Sequence, residues 1–514
     1  MAFTSLEFLF FFPIVVAIYF LLPNRFRWFQ LLMASYYFYM AWKPVYALLL
    51  LASTLSFYFA ALGVDRFKEV WQRKMTFFLG VVFNLGLLFT FKYYNFFEVQ
   101  TNAFAAYFGL NIMPTLNVLL PMGISFYTFR GISYLTDVYR EDMPAERHWG
   151  ILMLHLAFFP LLIAGPIERG THLIPQLRAH LLTRNSNHKI RFEYDRVVAG
   201  LRLMFLGFFK KIVLADNLSL IVQPVYAAPD EYSGASALVA TLAFSFQIFF
   251  DFSAYTDIAR GASRVLGFEV IENFNRPYFA VNVPDFWRRW HISLSTWFYS
   301  YLYMPIAFRK RNWGKGGSVF ALLVTFLLCG LWHGANWTFL IWGAMHGFFY
   351  LLTYVLTPLA RWLVKHTFLC GFPILCHRIL VMITFSLISW AWVMFRAESL
   401  SQALTIWAKI AHIPVEFSQY LLLVLKESVP FVPLKALGLE WFIRPSVRLS
   451  LMPVYAFMLT VGYLIMSYRL RGENGEVVFA RWGTAQRWSA YFFALAGILL
   501  LGRFGMTQFI YFQF

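Results

Sequence analysis

The sequence predicts an all-α polytopic membrane protein, and three observations lead there. Of its 514 residues 60% are hydrophobic and only 13% are charged, where soluble domains carry about 25% charge. Thirteen apolar segments follow one another along the chain. One stretch of 45 residues, Gly316 to Ala360, holds no Asp, Glu, Lys or Arg, which suffices for two crossings at about 20 helical residues each.

The apolar segments fall at 5–22, 29–42, 45–64, 75–91, 115–136, 150–164, 198–227, 235–258, 318–333, 337–357, 378–395, 450–467 and 488–502. The length rule turns them into about 11 to 13 spanning or re-entrant helices. The first holds Glu7 and lacks a basic leader, so it is expected to be a retained span rather than a signal peptide. Arg25 and Arg27 precede the second segment, and Arg66, Lys68, Arg73 and Lys74 follow the third. Cytoplasmic loops gather basic residues, which places both loops inside and the N-terminus outside. Arg169 to Lys211 reads as a large basic cytoplasmic face.

The formal charge of +18 is assigned to orientation and contact with anionic lipid, not to nucleic acid. Cys329, Cys370 and Cys376 give no disulfide framework or paired metal spacing. From Glu269 to Gly317, Arg276, Asp285, Arg288, Arg289, Arg309, Lys310 and Arg311 alternate with aromatic residues, the pattern of an amphipathic helix lying in the interface. Val415 to Leu425 and Trp441 to Ser450 are read as amphipathic loops or short interfacial helices. No internal repeat of the inverted-transporter kind is evident.

Within the charge-free stretch stands Leu331-Trp332-His333-Gly334-Ala335-Asn336. The turn is expected at Gly334 to Trp337. A first crossing of Ser318 to Trp332 spans roughly 22 Å, too short to reach the far side, so His333 is expected inside the membrane. An ionisable residue there is a functional candidate. His291 lies in a second polar patch, Phe286-Trp287-Arg288-Arg289-Trp290-His291-Ile292-Ser293-Leu294-Ser295. Imidazole suits proton transfer near neutral pH. With no acid beside His333 and no Gly-x-Ser-x-Gly elbow, a serine triad is disfavoured. His291, His333 and His346 lack the tight spacing of structural zinc sites, and no metal is assigned. His346, flanked by Gly343 and Gly347, reads as a helix-packing residue. Composition and spacing leave catalysis and purely structural roles for the three histidines equally open.

The two patches, with Tyr301-Leu302-Tyr303-Met304-Pro305 after the first, resemble the histidine motifs of the membrane-bound O-acyltransferase family, in its bacterial alginate and polysaccharide O-acetyltransferase branch. Pro121-Met122-Gly123-Ile124-Ser125-Phe126-Tyr127, Asp137-Val138-Tyr139-Arg140, Ala164-Gly165-Pro166-Ile167, Phe208-Phe209-Lys210-Lys211, Phe250-Asp251-Phe252-Ser253 and Glu272-Asn273-Phe274-Asn275-Arg276-Pro277-Tyr278 match in order. The likeness runs over about residues 5 to 400. It implies a single membrane domain, 1–514, with a family core at about 75–400, a central tunnel, and C-terminal helices at 401–514.

By resemblance His333 is the catalytic histidine and His291 the accompanying one, with Trp332, Asn336, Ser295, Arg288, Arg289 and His346 as substrate or tunnel candidates. Arg288 and Arg289 are candidates for the phosphates of coenzyme A, since guanidinium suits phosphate; anchoring to lipid phosphate is an equal alternative. The resemblance further implies acetyl-CoA as donor substrate, no tightly bound cofactor, an extracytoplasmic polysaccharide acetyltransferase partner, and the bacterial inner membrane. Tyr299-Ser300 stands where many of the branch have Arg-Asp, and Arg130 where Gln is common, so the acceptor stays open among alginate-like polymers, cellulose and other surface glycans. Transfer of D-alanine to teichoic acid from a carrier-protein thioester, and transport of polymer or lipid, are the other readings.

Overall fold

A computed structural model describes residues 1–110, 112–116, 119–182, 192–366, 371–419, 458–463, 465, 481–504 and 509–510. Among the described residues the regular structure is helical throughout. In chain order the helices are α1 Leu6–Leu21, α2 Asn24–Met40, α3 Tyr46–Arg66, α4 Val70–Leu88, α5 Tyr94–Ala106, α6 Ile124–Tyr139, α7 Trp149–Ala157, α8 Phe159–Leu162, α9 Gly170–Leu181, α10 Tyr194–Phe209 and α11 Asp216–Ala227. There follow α12 Gly234–Val265, α13 Val283–Arg289, α14 Ile292–Phe298, α15 Met304–Arg309, α16 Lys315–His333, α17 Trp337–His366, α18 Pro373–Arg396, α19 Leu400–Ala411 and α20 Thr484–Leu501. Three π-helical turns, Phe89–Tyr93, Lys210–Ala215 and Tyr299–Tyr303, join α4 to α5, α10 to α11 and α14 to α15.

Among the described residues six helical stretches are long and apolar enough to cross a bilayer: Tyr46–Arg66, Val70–Ala106, Gly234–Val265, Lys315–His333, Trp337–Trp362 and Pro373–Arg396. The protein is a membrane protein by these elements and by the kinship given below. Several expected segments change shape. The segment at 75–91 runs on through the π turn as a 37-residue rod. The segment at 115–136 is helical only from Ile124, where Gly123 takes φ +73° and starts the helix. The segment at 150–164 breaks at Phe158, whose φ of −52° and ψ of 110° leave the helical region ahead of Pro160. The segment at 450–467 lies largely outside the described residues, as do 420–425 and Trp441 to Ser450.

The chain forms two compact units. The first comprises Met1–Gly207, Tyr255–Asn273 and His291–Asn312; the second comprises Phe208–Ala254, Phe274–Trp290 and Trp313–Phe514. In the first, α3, α4 and α6 pack together, and α2 packs on α7 and α9. A buried polar link ties α3 to α4: Ser53 donates to Asn84 Oδ1 at 2.6 Å, and Asn84 Nδ2 donates to Ser56 at 3.1 Å. Such bonds between spans stabilise by about 0.6 kcal/mol on average.

In the second unit α17 packs on α16, α18 and α13. The α16–α17 approach is close because Gly330 and Gly343 face each other: a Cβ on Gly343 would lie 2.3 Å from Phe326 O and 3.3 Å from Gly330 Cα. Small residues at such crossings let backbones touch. Lys210 and Lys211, expected on a basic cytoplasmic face, are instead 6% and 2% exposed. Lys211 Nζ lies 2.8 Å from Asp216 Oδ1 and 2.6 Å from Asp251 Oδ1. Both lysines stand on the π turn, Lys210 Nζ lying 5.6 Å from the Tyr463 ring centroid, and acids on α11 and α12 make the burial of Lys211 tolerable, since a buried charge persists only when paired.

Cys329, buried, and Cys376, half-buried, are in no disulfide among the described residues, and Cys370 lies outside them.

Candidate active site

The histidines belong to two clusters, one in each unit. In the second unit His333 ends α16, and the chain turns through Gly334, Ala335 and Asn336 into α17. The turn falls where the sequence placed it. The helix before it does not: α16 begins at Lys315 and has 19 residues, about 28 Å at 1.5 Å per residue. That length crosses a bilayer core, so shortness no longer argues for the depth of His333. Gly316 and Gly317 are part of the helix, and the turn before it is made at Gly314, with φ +56°.

What encloses His333 is aromatic packing. It is 3% exposed, and its ring meets Trp332 at 4.9 Å, Trp342 at 5.0 Å and Phe395 at 5.2 Å between centroids, all three edge to face. Trp342 stacks on Trp392 at 5.8 Å and 21°. One turn further, His346 is fully buried and its Nδ1 accepts from Trp287 Nε1 at 3.3 Å. That bond requires an unprotonated Nδ1, which leaves the proton of a neutral ring on Nε2. The helix-packing expectation for His346 matches this: it lies between α13 and α17, beside the Gly343 crossing.

Asn336 ties the turn down. Its Oδ1 accepts from Thr338 N at 3.1 Å and its Nδ2 donates to Glu398 O at 3.0 Å. An Asn before the first helical turn satisfies one of the orphan N–H groups there. Trp332 is 4% exposed.

Arg288 and Arg289 sit at the end of α13, where Asp285 lies 3.8 Å from Arg288 Nη2 and 3.1 Å from Arg289 Nε. The interfacial helix expected from Glu269 to Gly317 is not one element. Its first part, α13, drives Phe286 and Trp287 into the second unit's core, and Trp290 just after it is 1% exposed. The alternation of arginine and aromatic residues reflects two arginines beside Asp285 at a helix end, not one lipid-facing stripe. The peripheral part is Tyr299–Tyr303, α15 and Arg311–Trp313, which bury none of their residues.

In the first unit His291 is fully buried, with φ 42° and ψ 55°. A left-handed backbone at a bulky non-glycine residue costs about 1 to 3 kcal/mol and tends to mark functional sites. The strain is held from Asn273, whose carbonyl accepts from Ile292 N at 3.0 Å and whose Oδ1 accepts from Ser293 N at 3.1 Å. Ser293 Oγ accepts in turn from Ile167 N at 3.0 Å. Three motif blocks thus meet on one strained residue. Ser295 is half-buried on α14, its amide bonded to His291 O at 3.0 Å.

Both departures from the family pattern have structural partners. Arg130 is fully buried, with Nη1 donating to His155 O at 3.1 Å. Ser300 receives two arginines in the first unit. Trp342, Trp392 and Phe395 do not stand out in the sequence, because aromatic residues are common everywhere in this chain; only the four-residue step from Trp342 to His346 marks a shared face.

Among the described residues these clusters define a helical membrane protein with a histidine boxed by aromatic rings at a helix end. Residues 151–396 match the model of the membrane-bound O-acyltransferase family. The chain is 39% identical to a protein named probable alginate O-acetylase AlgI from Azotobacter vinelandii, across 79% of this chain and 77% of that one. It is 33% identical to the peptidoglycan O-acetyltransferase of Helicobacter pylori, across 76% of each. The teichoic acid D-alanyltransferase of Bacillus subtilis is 31% identical, across 45% of this chain and 58% of its own. The chain belongs to the membrane-bound O-acyltransferase family and is an acyltransferase.

Proposed function

We propose that this protein transfers an acetyl group from cytoplasmic acetyl-CoA across the bacterial inner membrane, for O-acetylation of an exported polysaccharide. An extracytoplasmic acetyltransferase partner completes the delivery. About 11 to 13 spanning or re-entrant segments enclose a tunnel in this reading, with the N-terminus outside. The observation that carries it is His333, buried among aromatic rings in a chain whose similarity to alginate O-acetylases extends over most of both sequences.

His333 acts as the general base. Its neutral imidazole takes the proton of an acceptor hydroxyl, the oxygen attacks the thioester carbonyl, and the carbon–sulfur bond breaks to release the coenzyme A thiolate. That thiolate takes up a proton, returning the balance. Proton transfer and proximity are each worth several kcal/mol here. Trp332 and Trp342 exclude water from the ring, and Asn336 fixes the turn that presents it. His291 positions donor or acceptor, and Ser295 lines the path. Arg288, with 73% of its side chain exposed, is available to donor phosphate, while Asp285 holds Arg289 back from it.

The test is thioester cleavage by purified protein given labelled acetyl-CoA, the partner and candidate glycans. Acetyl-CoA-dependent ester formation supports the reading. Label transfer only from a D-alanyl carrier protein would establish the teichoic acid reading instead. Movement of polymer into proteoliposomes without cleavage would establish a transporter.

A further inference from the structure

We infer that Arg140, Arg169, Ser300 and Tyr301 form a phosphate-binding site in the first unit. The local backbone explains how it arises. In the π turn Met304 N bonds to Tyr299 O rather than to Ser300 O, and the next residue, Pro305, has no N–H to offer. The Ser300 carbonyl is therefore left without a helical donor, and Arg140 supplies one, both Nη atoms lying 3.4 Å away. Arg169 Nη2 reaches the same residue from another element, donating to Ser300 Oγ at 2.9 Å and to Thr296 O at 3.0 Å. Both guanidiniums also lie over the Tyr301 ring, at 5.5 and 5.3 Å from its centroid. π-helical turns of this kind recur at functional sites.

The charge balance is what calls for an anion. Among the described residues neither arginine is within ion-pair distance of a carboxylate. Ser300, on which they converge, offers only neutral oxygens. The nearby acids are otherwise placed: Glu141 is held by Arg73 at 2.7 Å, and Asp137 Oδ1 accepts from the Tyr301 hydroxyl at 2.6 Å. Asp137 Oδ2 is buried without a hydrogen-bond partner among the described residues, ready for a hydroxyl of the same ligand. Each guanidinium carries five donors in a fork that fits phosphate, and most of them are unspent. Arg140 is exposed and Arg169 half-buried, so the site is open. Arg73 also donates to Tyr139 O, which joins the site to the basic Arg66–Lys74 loop, the side where the charge rule puts the cytoplasm.

The ligand class is a phosphate ester, from a soluble nucleotide-bearing acyl donor or from an anionic phospholipid headgroup. Only the soluble-donor arm rests on the acetyl-CoA reading. The experiment uses the full chain in phosphatidylcholine nanodiscs, with coenzyme A binding by calorimetry and retention of added phosphatidylglycerol by native mass spectrometry. Ser300→Asp sets a carboxylate between the two guanidiniums; it is expected to weaken binding at least tenfold while raising thermal stability, so loss of binding cannot be loss of fold. Arg140→Gln is expected to match Ser300→Asp. A response in the coenzyme A arm identifies the soluble donor, and one in the phosphatidylglycerol arm the lipid. If wild type binds neither probe, or if Ser300→Asp and Arg140→Gln bind both as wild type does, the site is refuted. Repeating the measurement in His333→Ala, where phosphate binding is expected unchanged, separates this inference from the catalytic one.

Discussion

The α16–α17 crossing gives the sharpest test of how the fold holds His333 in place. A Cβ added at Gly343 would meet Phe326 O at 2.3 Å. Ordinary contact needs about 3.4 Å, so Gly343→Ala must part the helices by roughly 1 Å. A buried side chain makes about 50 heavy-atom contacts of about 0.15 kcal/mol, and a gap of that size forfeits at least a quarter of them, or about 2 kcal/mol. Measured overpacking costs of about 1 to 3 kcal/mol agree. Gly347 is the control on the same helix, for its Cβ would meet only the Leu323 side-chain end at 3.2 Å and the Phe326 side chain at 3.5 Å or more, a change expected to cost under about 0.5 kcal/mol. Reversible unfolding in mixed micelles, followed by tryptophan fluorescence, measures both. Equal losses in the two variants, or none at Gly343, would refute the close-crossing argument. Acetyl transfer is expected to fall with Gly343→Ala, because Trp342 against His333 is its neighbour.

Three further predictions are independent of that crossing. Lys211→Met leaves Asp216 and Asp251 buried without their cation and is expected to cost about 3 to 5 kcal/mol, read as loss of monodisperse protein on size exclusion, with Lys211→Arg partly restoring it. His291→Asn is expected to unfold within about 1 kcal/mol of wild type, since Asn tolerates the left-handed region, yet to lose at least tenfold in transfer rate; unchanged transfer would make His291 purely structural. His172 Nδ1 lies 2.7 Å from the buried Glu168 Oε2, and that hydrogen bond raises the His172 pKa above its usual value. The protonated ring therefore stabilises fully below about pH 6.5, and the contribution fades as pH rises through the raised value. With 44% of the side chain exposed, solvent limits the gain to under about 1 kcal/mol. Melting profiles from pH 5.5 to 8.5 should show it in wild type and not in His172→Gln.

The readable parts of the sequence were those where one residue type has one physical consequence. Gly334-Ala335-Asn336 is a turn because Asn caps the next helix, and an uncharged 45-residue run can only be buried or lipid-facing. Gly343 and Gly347 marked a close crossing, and the ordered motif blocks named the family. The misreadings came where tertiary context overrides the local rule. Lys211 looked like a loop charge, because the acids that neutralise it lie at Asp216 and Asp251, one of them 40 residues away. The crossing expected from Ser318 starts three residues earlier, at Lys315, because Gly314 with its positive φ makes the turn. The π turns have no periodicity of their own, so nothing short of the fold could reveal that Pro305 frees the Ser300 carbonyl for Arg140. Nor could it show that Asn273 holds His291 in a strained backbone from 18 positions upstream.

The central claim is that His333 is the base of acyl transfer. It is tested most directly by quantifying acetyl ester on the cell-surface glycan in cells carrying His333→Ala at wild-type membrane abundance. Loss of a general base predicts a fall of about 10²- to 10⁴-fold in transfer rate, with solubilised variant and wild type eluting alike on size exclusion. Acetylation at the wild-type level in that variant would contradict it.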